Sequence, residues 1–318
     1  MSSTTQPTDF SDLYTELLNA TRSVTGVTAI TNQARRYINR ALYDIVLGFE
    51  HQLPWLEREA FIRTHAPYTT GTVAVTRGST TVTGTDTLWT TANAYNENNA
   101  RVTGKMLLTG SNIYGITTVG SATSITLDER YVADSDLAAG ASYTYFEDEY
   151  ALAADFLKPV DWRIFSTTKN IPIIGRREFN RKYPRPLQSG TPKIAVILEK
   201  GFGASATPVR YIQFYPYPGG TYIIPYLYIT SNLAVSSAGI EAAQLSGDSD
   251  EPNLPRGYRH LIVLNALYLW YRDKKDDARA QSAQQDYIDG VQRVVGDTNV
   301  GVPKRATTAP RIQSYEQY

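Results

Sequence analysis

The sequence predicts an α+β protein: a helical bundle formed by N- and C-terminal helices, with an inserted small β-sandwich or barrel, a second strand-rich region and an extended C-terminal arm. Apolar residues recur at helical spacing near both ends of the 318-residue chain. Between them, apolar and polar residues alternate as in half-buried strands, whereas the last residues follow neither period. These changes place the predicted boundaries at 1–70, 71–146, 147–254, 255–296 and 297–318.

Residues 1–70 are predicted to form the N-terminal part of the bundle. Two apolar stripes with helical spacing support this: Leu13, Leu17 and Leu18 in a first helix, and Ala34, Ile38, Ala41, Leu42 and Ile45 in a second. Thr31 or Asn32 is placed to cap the second helix. Two amphipathic helices cannot bury both stripes alone, so we expect partner helices from near the C-terminus.

Residues 71–146 are predicted to form a small inserted sandwich or barrel. Val73 and Val75 alternate with threonines, Arg77-Gly78-Ser79 has the composition of a turn, and Val82 continues a returning strand. The pattern continues on both sides of Gly120-Ser121, at Leu107, Ile113, Ile116, Val119, Ile125 and Leu127. Regular turns between short, half-buried strands are typical of sandwiches and barrels.

Residues 147–254 are predicted to form a second strand-rich region with more proline and more bulky aromatic residues. The aromatic stretches 211–216 and 222–230 flank Pro218-Gly219-Gly220, which predicts a β-hairpin. Because Pro225 lacks the N–H that a strand ladder needs, we expect its strand to lie at a sheet edge or to carry a bulge.

Residues 255–296 are predicted to be helical again. One apolar stripe consists of Leu261, Leu264, Tyr268 and Tyr271, and other apolar residues fill most of the remaining circumference. A helix that is apolar nearly all round is buried centrally. A second helix is predicted by Ala280, Ala283, Tyr287 and Val291. We therefore expect both helical pairs to form one antiparallel bundle, with the chain termini close together.

The segment 297–318 is predicted to be an extended arm that docks on another chain. With two prolines and scattered apolar groups, it cannot bury enough of its own surface to offset the entropy of ordering it. The candidate docking residues are Lys304, Arg305, Arg311, Ile312, Tyr315 and Tyr318. A disordered terminus is the alternative, since chain ends fray unless they are tied down.

The composition excludes several classes of function. Thirty-one basic residues balance 31 acidic ones, so no global field drives nonspecific binding to nucleic acid or to anionic membranes. The absence of cysteine excludes disulfides and thiolate metal sites, and three histidines argue against a histidine-rich metal site. We expect no cofactor. We also expect no membrane anchor, because the N-terminus lacks a signal-peptide pattern and the longest apolar run, 261–271, is too short to span a bilayer.

No catalytic motif is recognisable, and the sequence predicts a protein that is not an enzyme. The strongest catalytic candidate is the acidic run Glu147-Asp148-Glu149, with Asp155 and Asp161 nearby. Glycoside hydrolysis needs two carboxylates at a defined separation, one with a raised pKa, and proximity in sequence supplies neither. A charged exit from the insert is the favoured interpretation.

The other polar segments are interpreted as structural features without a functional site. The segment 247–251 lacks the full spacing of a calcium loop and is interpreted as an acidic surface turn. His51 and His65 have no partner at ligand spacing, and His260 is interpreted as a core or bundle-edge residue. No serine lies in a nucleophile-elbow pattern.

A basic run is the best candidate for contact with nucleic acid. It consists of Arg176, Arg177, Arg181, Lys182 and Arg185, interleaved with Phe179 and Tyr183. Cations and stackable rings are what a groove for single-stranded nucleic acid uses. Arginine and aromatic residues are also enriched in protein interfaces, and a protein contact or a solvated face is favoured here over DNA.

Three segments together resemble a known family. They are Gly71-Thr-Val-Ala-Val-Thr-Arg-Gly-Ser-Thr-Thr-Val-Thr-Gly84, Tyr145-Phe-Glu-Asp-Glu-Tyr-Ala-Leu-Ala-Ala-Asp-Phe156 and Leu254-Pro-Arg-Gly-Tyr-Arg-His-Leu-Ile-Val-Leu-Asn-Ala-Leu267. In this order, after a helical start, they resemble the head-to-tail adaptor, or connector, proteins of tailed bacteriophages, above all those of short-tailed phages with elongated heads.

The resemblance implies a structural virion protein. In that family twelve copies form a ring beneath the portal protein, carry tail nozzle or fibre proteins, and leave a channel for the genome. Double-stranded DNA would pass through without sequence specificity, and the C-terminal arm would reach the portal. The chain would be made in the host cytoplasm and would reside in the neck of the virion.

A second hypothesis comes from another class. The strands rich in tyrosine and tryptophan and the threonine-rich insert also suit a carbohydrate-binding or fibre-like attachment module of a virion. Ring assembly without affinity for glycans would favour the adaptor.

Overall fold

The computed structural model describes residues 6–24, 26–48, 54–108, 112–162, 170–184, 187–200 and 209–298. The chain divides into two compact units. The terminal unit combines Met1–Leu56 with Ser231–Tyr318, and the central unit is Glu57–Thr230.

The described helices are α1 (Phe10–Ala20), α2 (Thr28–Gly48), α3 (Arg176–Lys182), α4 (His260–Asp273) and α5 (Asp277–Thr298). The side chain of Asp9 caps α1 by accepting a hydrogen bond from the Asp12 N–H. The predicted cap of α2 at Thr31 or Asn32 is wrong, because that helix already begins at Thr28.

The predicted central position of α4 is confirmed. This helix contacts α1, α2 and α5, and its buried residues are Leu261, Ile262, Val263, Asn265, Ala266, Leu269 and Trp270. On α5, Gly290 permits a close approach, since a Cβ at that position would lie 2.3 Å from Leu261 Cδ2. The helices from the two ends of the chain therefore share one core in the terminal unit.

Short strands make up much of the described chain. They are β1 (Glu57–Arg63), β2 (Thr72–Val75), β3 (Thr81–Thr85), β4 (Lys105–Leu108), β5 (Asn112–Ser121), β6 (Ser124–Leu127), β7 (Leu137–Ala141), β8 (Tyr143–Phe146), β9 (Glu149–Ala151), β10 (Phe156–Trp162), β11 (Ser189–Gly190), β12 (Ile194–Lys200), β13 (Val209–Tyr215), β14 (Tyr217–Pro218), β15 (Ile223–Thr230), β16 (Ala234–Val235), β17 (Glu241–Ala242) and β18 (Glu251–Pro252).

The largest sheet is an antiparallel, curled sheet of seven strands in the order β7-β2-β3-β6-β5-β4-β8. The strands predicted around Val73, Val75 and Val82 are confirmed as β2 and β3. The inward-facing residues of these strands pack into one core with Trp89 from the loop after β3. Alternation revealed these strands because one face of each is buried.

Two three-stranded sheets complete the centre of the unit, in the orders β1-β15-β10 and β12-β13-β9. The predicted hairpin across Pro218-Gly219-Gly220 is wrong, because β13 and β15 lie in different sheets. The prediction that the Pro225 strand lies at a sheet edge or carries a bulge is also wrong. Strand β15 is the middle strand, and the register shifts of its described pairings fall on β10. On the side of β1, Pro225 lies opposite Phe61, and on the side of β10 the described pairs extend to Trp162 opposite Tyr226.

The predicted fold class, a helical bundle with a small inserted barrel and a second strand-rich region, is wrong. Strands account for 34% of the structure and helices for 29%, and the seven-stranded curled sheet is not a small insert. Periodicity identifies each element but not its partners. Strand β1, which we expected within the helical region 1–70, instead pairs with β15 more than 150 residues later.

Gly71 occupies a position where both backbone angle and surroundings exclude a side chain. Its φ is +81°, and a Cβ would lie 2.4 Å from the backbone O of Thr85 and 2.6 Å from the backbone C of Asp86. We expect Gly71→Ala to lower the free energy of unfolding by roughly 2–4 kcal/mol, because the left-handed conformation and the steric overlap each cost about 1–2 kcal/mol. Chemical denaturation measures this loss.

Gly78→Ala is the matched control. Gly78 has a similar φ of +78°, but no atom would lie within 4 Å of its Cβ. Only the conformational cost of about 1–2 kcal/mol then applies. Equal losses in the two variants would contradict the steric explanation for Gly71.

Candidate functional site

The acidic run Glu147-Asp148-Glu149, which follows β8 and ends on the first residue of β9, is held by cations from elsewhere in the central unit. The Arg101 guanidinium donates from Nε and Nη2 to the two carboxylate oxygens of Glu147, at 2.7 and 2.8 Å. The Tyr145 hydroxyl also donates to Glu147. The Glu147 side chain is only 3% exposed, so this bidentate pair is largely shielded from solvent.

Asp148 and Glu149 are paired as well. Lys105 Nζ lies 2.8 Å from Asp148 Oδ2 and 3.1 Å from Glu149 Oε1, while Lys200 pairs with the other oxygen of Glu149. The Gln213 amide donates to Asp148 Oδ2 at 2.7 Å. Burial alone would lower the pKa of Lys105, but Asp148 and Glu149 outweigh it and the pKa is raised.

The cluster offers little to acid and base catalysis. Burial would raise the pKa of Glu149, yet Lys105 and Lys200 outweigh it and the pKa is lowered. A general acid needs the opposite shift. Asp155 accepts hydrogen bonds from Tyr228 and Thr230 at 2.9 and 2.7 Å. These carboxylates tie segments of the central unit together, and sequence reasoning missed their partners Arg101, Lys105 and Gln213.

His65 and His260, the histidines that the structure describes, do not form a metal site. His65 Nε2 lies 3.1 Å from Glu97 Oε2, and burial together with the charge of Arg101 lowers the pKa of His65 despite that carboxylate. His260 Nδ1 lies 3.0 Å from the carbonyl of Gly257, and His51 lies outside the described residues. Within the described chain, no group of three His, Cys, Asp or Glu residues could hold a metal ion.

The basic run lies on and beside α3. Arg176, Arg177 and Arg181 are exposed, Lys182 pairs with Glu178 at 2.5 Å, and Arg185 lies outside the described residues. The interleaved rings have packing roles. Phe179 is buried against Val196 and Leu198, and Tyr183 stacks on Tyr215 with ring centroids 3.9 Å apart. Packing therefore engages both rings between these cations, although Tyr183 stays partly exposed.

The structure describes the predicted acidic turn but not the predicted docking arm. The docking residues Lys304, Arg305, Arg311, Ile312, Tyr315 and Tyr318 lie outside the described residues. In the acidic turn 247–251, the Asp250 carboxylate accepts backbone hydrogen bonds from Ser246 and Gly247 at 2.8 and 2.7 Å, which lowers the pKa of Asp250. The Asp250 carboxylate therefore stabilises the backbone of the turn through these hydrogen bonds.

A cleft in the central unit was not predicted. The sheet–helix cleft, as we name it, has a volume of about 540 Å³. Its lining includes Lys105, Tyr114 and Glu129 on the side of the seven-stranded sheet, and Asn180, Tyr183 and Gln213 on the side of α3 and β13. These residues come from five separate segments, so no local sequence signal could have predicted it.

Comparisons with known proteins add no family. No protein-family model matches the chain, and no curated protein is significantly similar to it. In the part of the chain that the structure describes, no helix has the length and apolar character needed to cross a membrane.

Proposed function

We propose that the chain is a noncatalytic structural protein of a bacteriophage virion, a head-to-tail adaptor whose copies close into a ring between portal and tail. The family resemblance motivates this function. The structural observation that supports it is the opposite charge on the outer faces of α2 and α5, which both pack on α4 in the terminal unit.

The outer face of α2 is basic and that of α5 has an acidic turn. Arg36 and Arg40 are exposed on α2, and among the described residues Arg40 forms a loose ion pair with Asp44 at 3.9 Å. On α5, Asp286 and Asp289 are exposed three residues apart, flanked more distantly by the cations Arg279 and Arg293. Residues three apart lie on one helix face, so the two carboxylates act together.

Two complementary surfaces on one chain suit a head-to-tail contact between copies. Such a contact closes into a ring when the rotation that relates neighbouring copies is a full turn divided by a whole number. Cyclic symmetry then leaves a channel on the axis. Repeating one modest contact strengthens the assembly through multivalency. In this proposal the arm 297–318 docks on the portal, the central unit faces tail nozzle or fibre proteins, and double-stranded DNA passes without specific contacts.

A charge exchange tests the ring. We expect the purified chain to form rings, with twelve copies implied by the resemblance, in native mass spectrometry and electron microscopy. Reversing the basic face with Arg36→Glu and Arg40→Glu should produce monomers, because like charges then meet across the contact. Adding Asp286→Arg and Asp289→Arg to that variant should restore the rings.

Lys193→Glu is the control, since it reverses an exposed charge in the central unit and should leave the rings intact. A chain that stays monomeric even when mixed with the portal protein from the same genome would contradict the proposal. Truncation after Gly296 tests the arm separately: rings should persist while binding to the portal is lost.

A further inference from the structure

The sheet–helix cleft has walls whose positions are set by packing. Tyr183 stacks on Tyr215 and meets the edge of Phe179, with ring centroids 3.9 and 5.7 Å apart. On the opposite wall, the Tyr114 hydroxyl accepts a hydrogen bond from the Val132 N–H at 3.1 Å. The partly exposed Tyr183 ring is thus held at the cleft before any ligand arrives, and Tyr114, only 7% exposed, forms a buried part of the opposite wall. Pre-organised groups reduce the entropy lost on binding.

Polar groups with free hydrogen-bonding capacity line the same space. Glu129 and Asn180 are exposed, and neither side chain has a hydrogen bond within the described part of the chain. Gln213 donates its amide nitrogen to Asp148 at 2.7 Å, which leaves its carbonyl oxygen as an acceptor. Planar donors and acceptors therefore face the cleft from both walls. A ligand rich in hydroxyl groups satisfies them, because each hydroxyl both donates and accepts.

The charge of the lining favours a neutral ligand. Lys105 is engaged by Asp148 and Glu149, at 2.8 and 3.1 Å. Glu129 adds an exposed negative charge, which repels phosphate groups. The exposed cations of α3, Arg176, Arg177 and Arg181, are not among the residues that line the cleft. A nucleic acid would therefore find a carboxylate where it needs a cation.

We propose that the sheet–helix cleft binds a neutral saccharide. The partly exposed ring of Tyr183 supplies apolar surface for the C–H face of a sugar ring, and Glu129, Asn180 and Gln213 bind its hydroxyl groups. The cleft volume of about 540 Å³ falls in the range of small-molecule sites. This site lies within the central unit and does not depend on the adaptor proposal, because each copy in a ring can carry a sugar site. Sugar binding by a chain that forms no ring would instead favour the attachment module.

Binding of three neutral trisaccharides to the full-length chain tests the site. Maltotriose, cellotriose and chitotriose would each be titrated to about 20 mM, with isothermal calorimetry and saturation-transfer NMR as readouts; we expect at least one to bind with a Kd on the order of 1 mM. Asn180→Ala, which removes a hydrogen bond, and Glu129→Gln, which replaces a charge-assisted hydrogen bond by a neutral one, should each weaken that binding about fivefold. Both side chains are exposed and make no described contacts, so the fold should be retained.

The matched control is Glu59→Gln, an exposed carboxylate of the same unit that does not line the cleft, and it should leave binding unchanged. Failure of all three sugars to bind would overturn the proposal. So would binding that neither cleft variant weakens. Displacement of the sugar by a short oligothymidylate that itself depends on Asn180 would assign the cleft to nucleic acid instead.

Discussion

Lys105→Met is expected to lower the free energy of unfolding by about 3–5 kcal/mol, the loss typical of breaking a buried ion pair on one side. Asp148 is completely buried, and its charged partner is Lys105 Nζ at 2.8 Å. Methionine retains an unbranched stem but removes the ammonium group. Gln213 would then be the remaining described hydrogen-bond donor to the Asp148 side chain, and a neutral amide does not offset a buried negative charge.

Lys200→Met is the matched control, because Lys200 also pairs with Glu149 but is 53% exposed, against 22% for Lys105. Its loss should cost no more than about 1 kcal/mol, since solvent screens exposed pairs. Both values follow from chemical denaturation monitored by circular dichroism. Adding Asp148→Asn to Lys105→Met should recover part of the stability, because it removes the stranded charge. Equal losses for the two lysines would contradict the role assigned to Asp148.

Local structure was predictable where one face of an element is buried. The stripe of Leu13, Leu17 and Leu18 correctly predicted α1, and the alternation of Val73 and Val75 predicted β2. In each case the spacing of apolar residues directly reflects the geometry of the backbone. Element type therefore depended on neighbours in the sequence and could be inferred from them.

Pairing between distant strands was not predictable. The segment 211–230 reads as a hairpin because two aromatic stretches flank a turn, yet β13 pairs with β12 and β9, whereas β15 pairs with β1 and β10. Each of these strands is complementary to several others in pattern. The choice depends on which arrangement buries the most surface, and no local signal carries that information.

The candidate sites show the same limit. The acidic run 147–149 was visible in the sequence, but its partners Arg101, Lys105 and Gln213 lie more than 40 residues away. Without knowledge of those partners, an acidic run that is solvated cannot be distinguished in the sequence from one that forms buried ion pairs. The lining of the sheet–helix cleft is equally dispersed, so its chemistry emerges only when the fold brings Glu129 and Asn180 to one space.

Trp89→Ala is the second large loss that we expect, at about 3–5 kcal/mol, because it deletes a large side chain from a close-packed core. Trp89 is 0% exposed and belongs to the core of the curled sheet, although it lies in the loop between β3 and β4. Its ring meets Tyr143 edge-on at 5.7 Å, and its Nε1–H donates to the Tyr143 hydroxyl at 2.9 Å. That hydroxyl donates in turn to the carbonyl of Thr70 at 2.8 Å.

A second substitution of Trp89 and an exposed control residue show how the loss depends on the size of the buried side chain. Trp89→Phe keeps one aromatic ring but removes the Nε1–H donor and part of the buried indole, so we expect a smaller loss of about 2–3 kcal/mol. Val102→Ala, which truncates a side chain 57% exposed, should change stability by no more than about 0.5 kcal/mol. Chemical denaturation ranks the three variants. If Trp89→Phe proved as harmful as Trp89→Ala, the loss would not scale with the buried volume removed, and packing alone would not explain it. If all three variants were mild, Trp89 would not anchor its loop to the curled sheet.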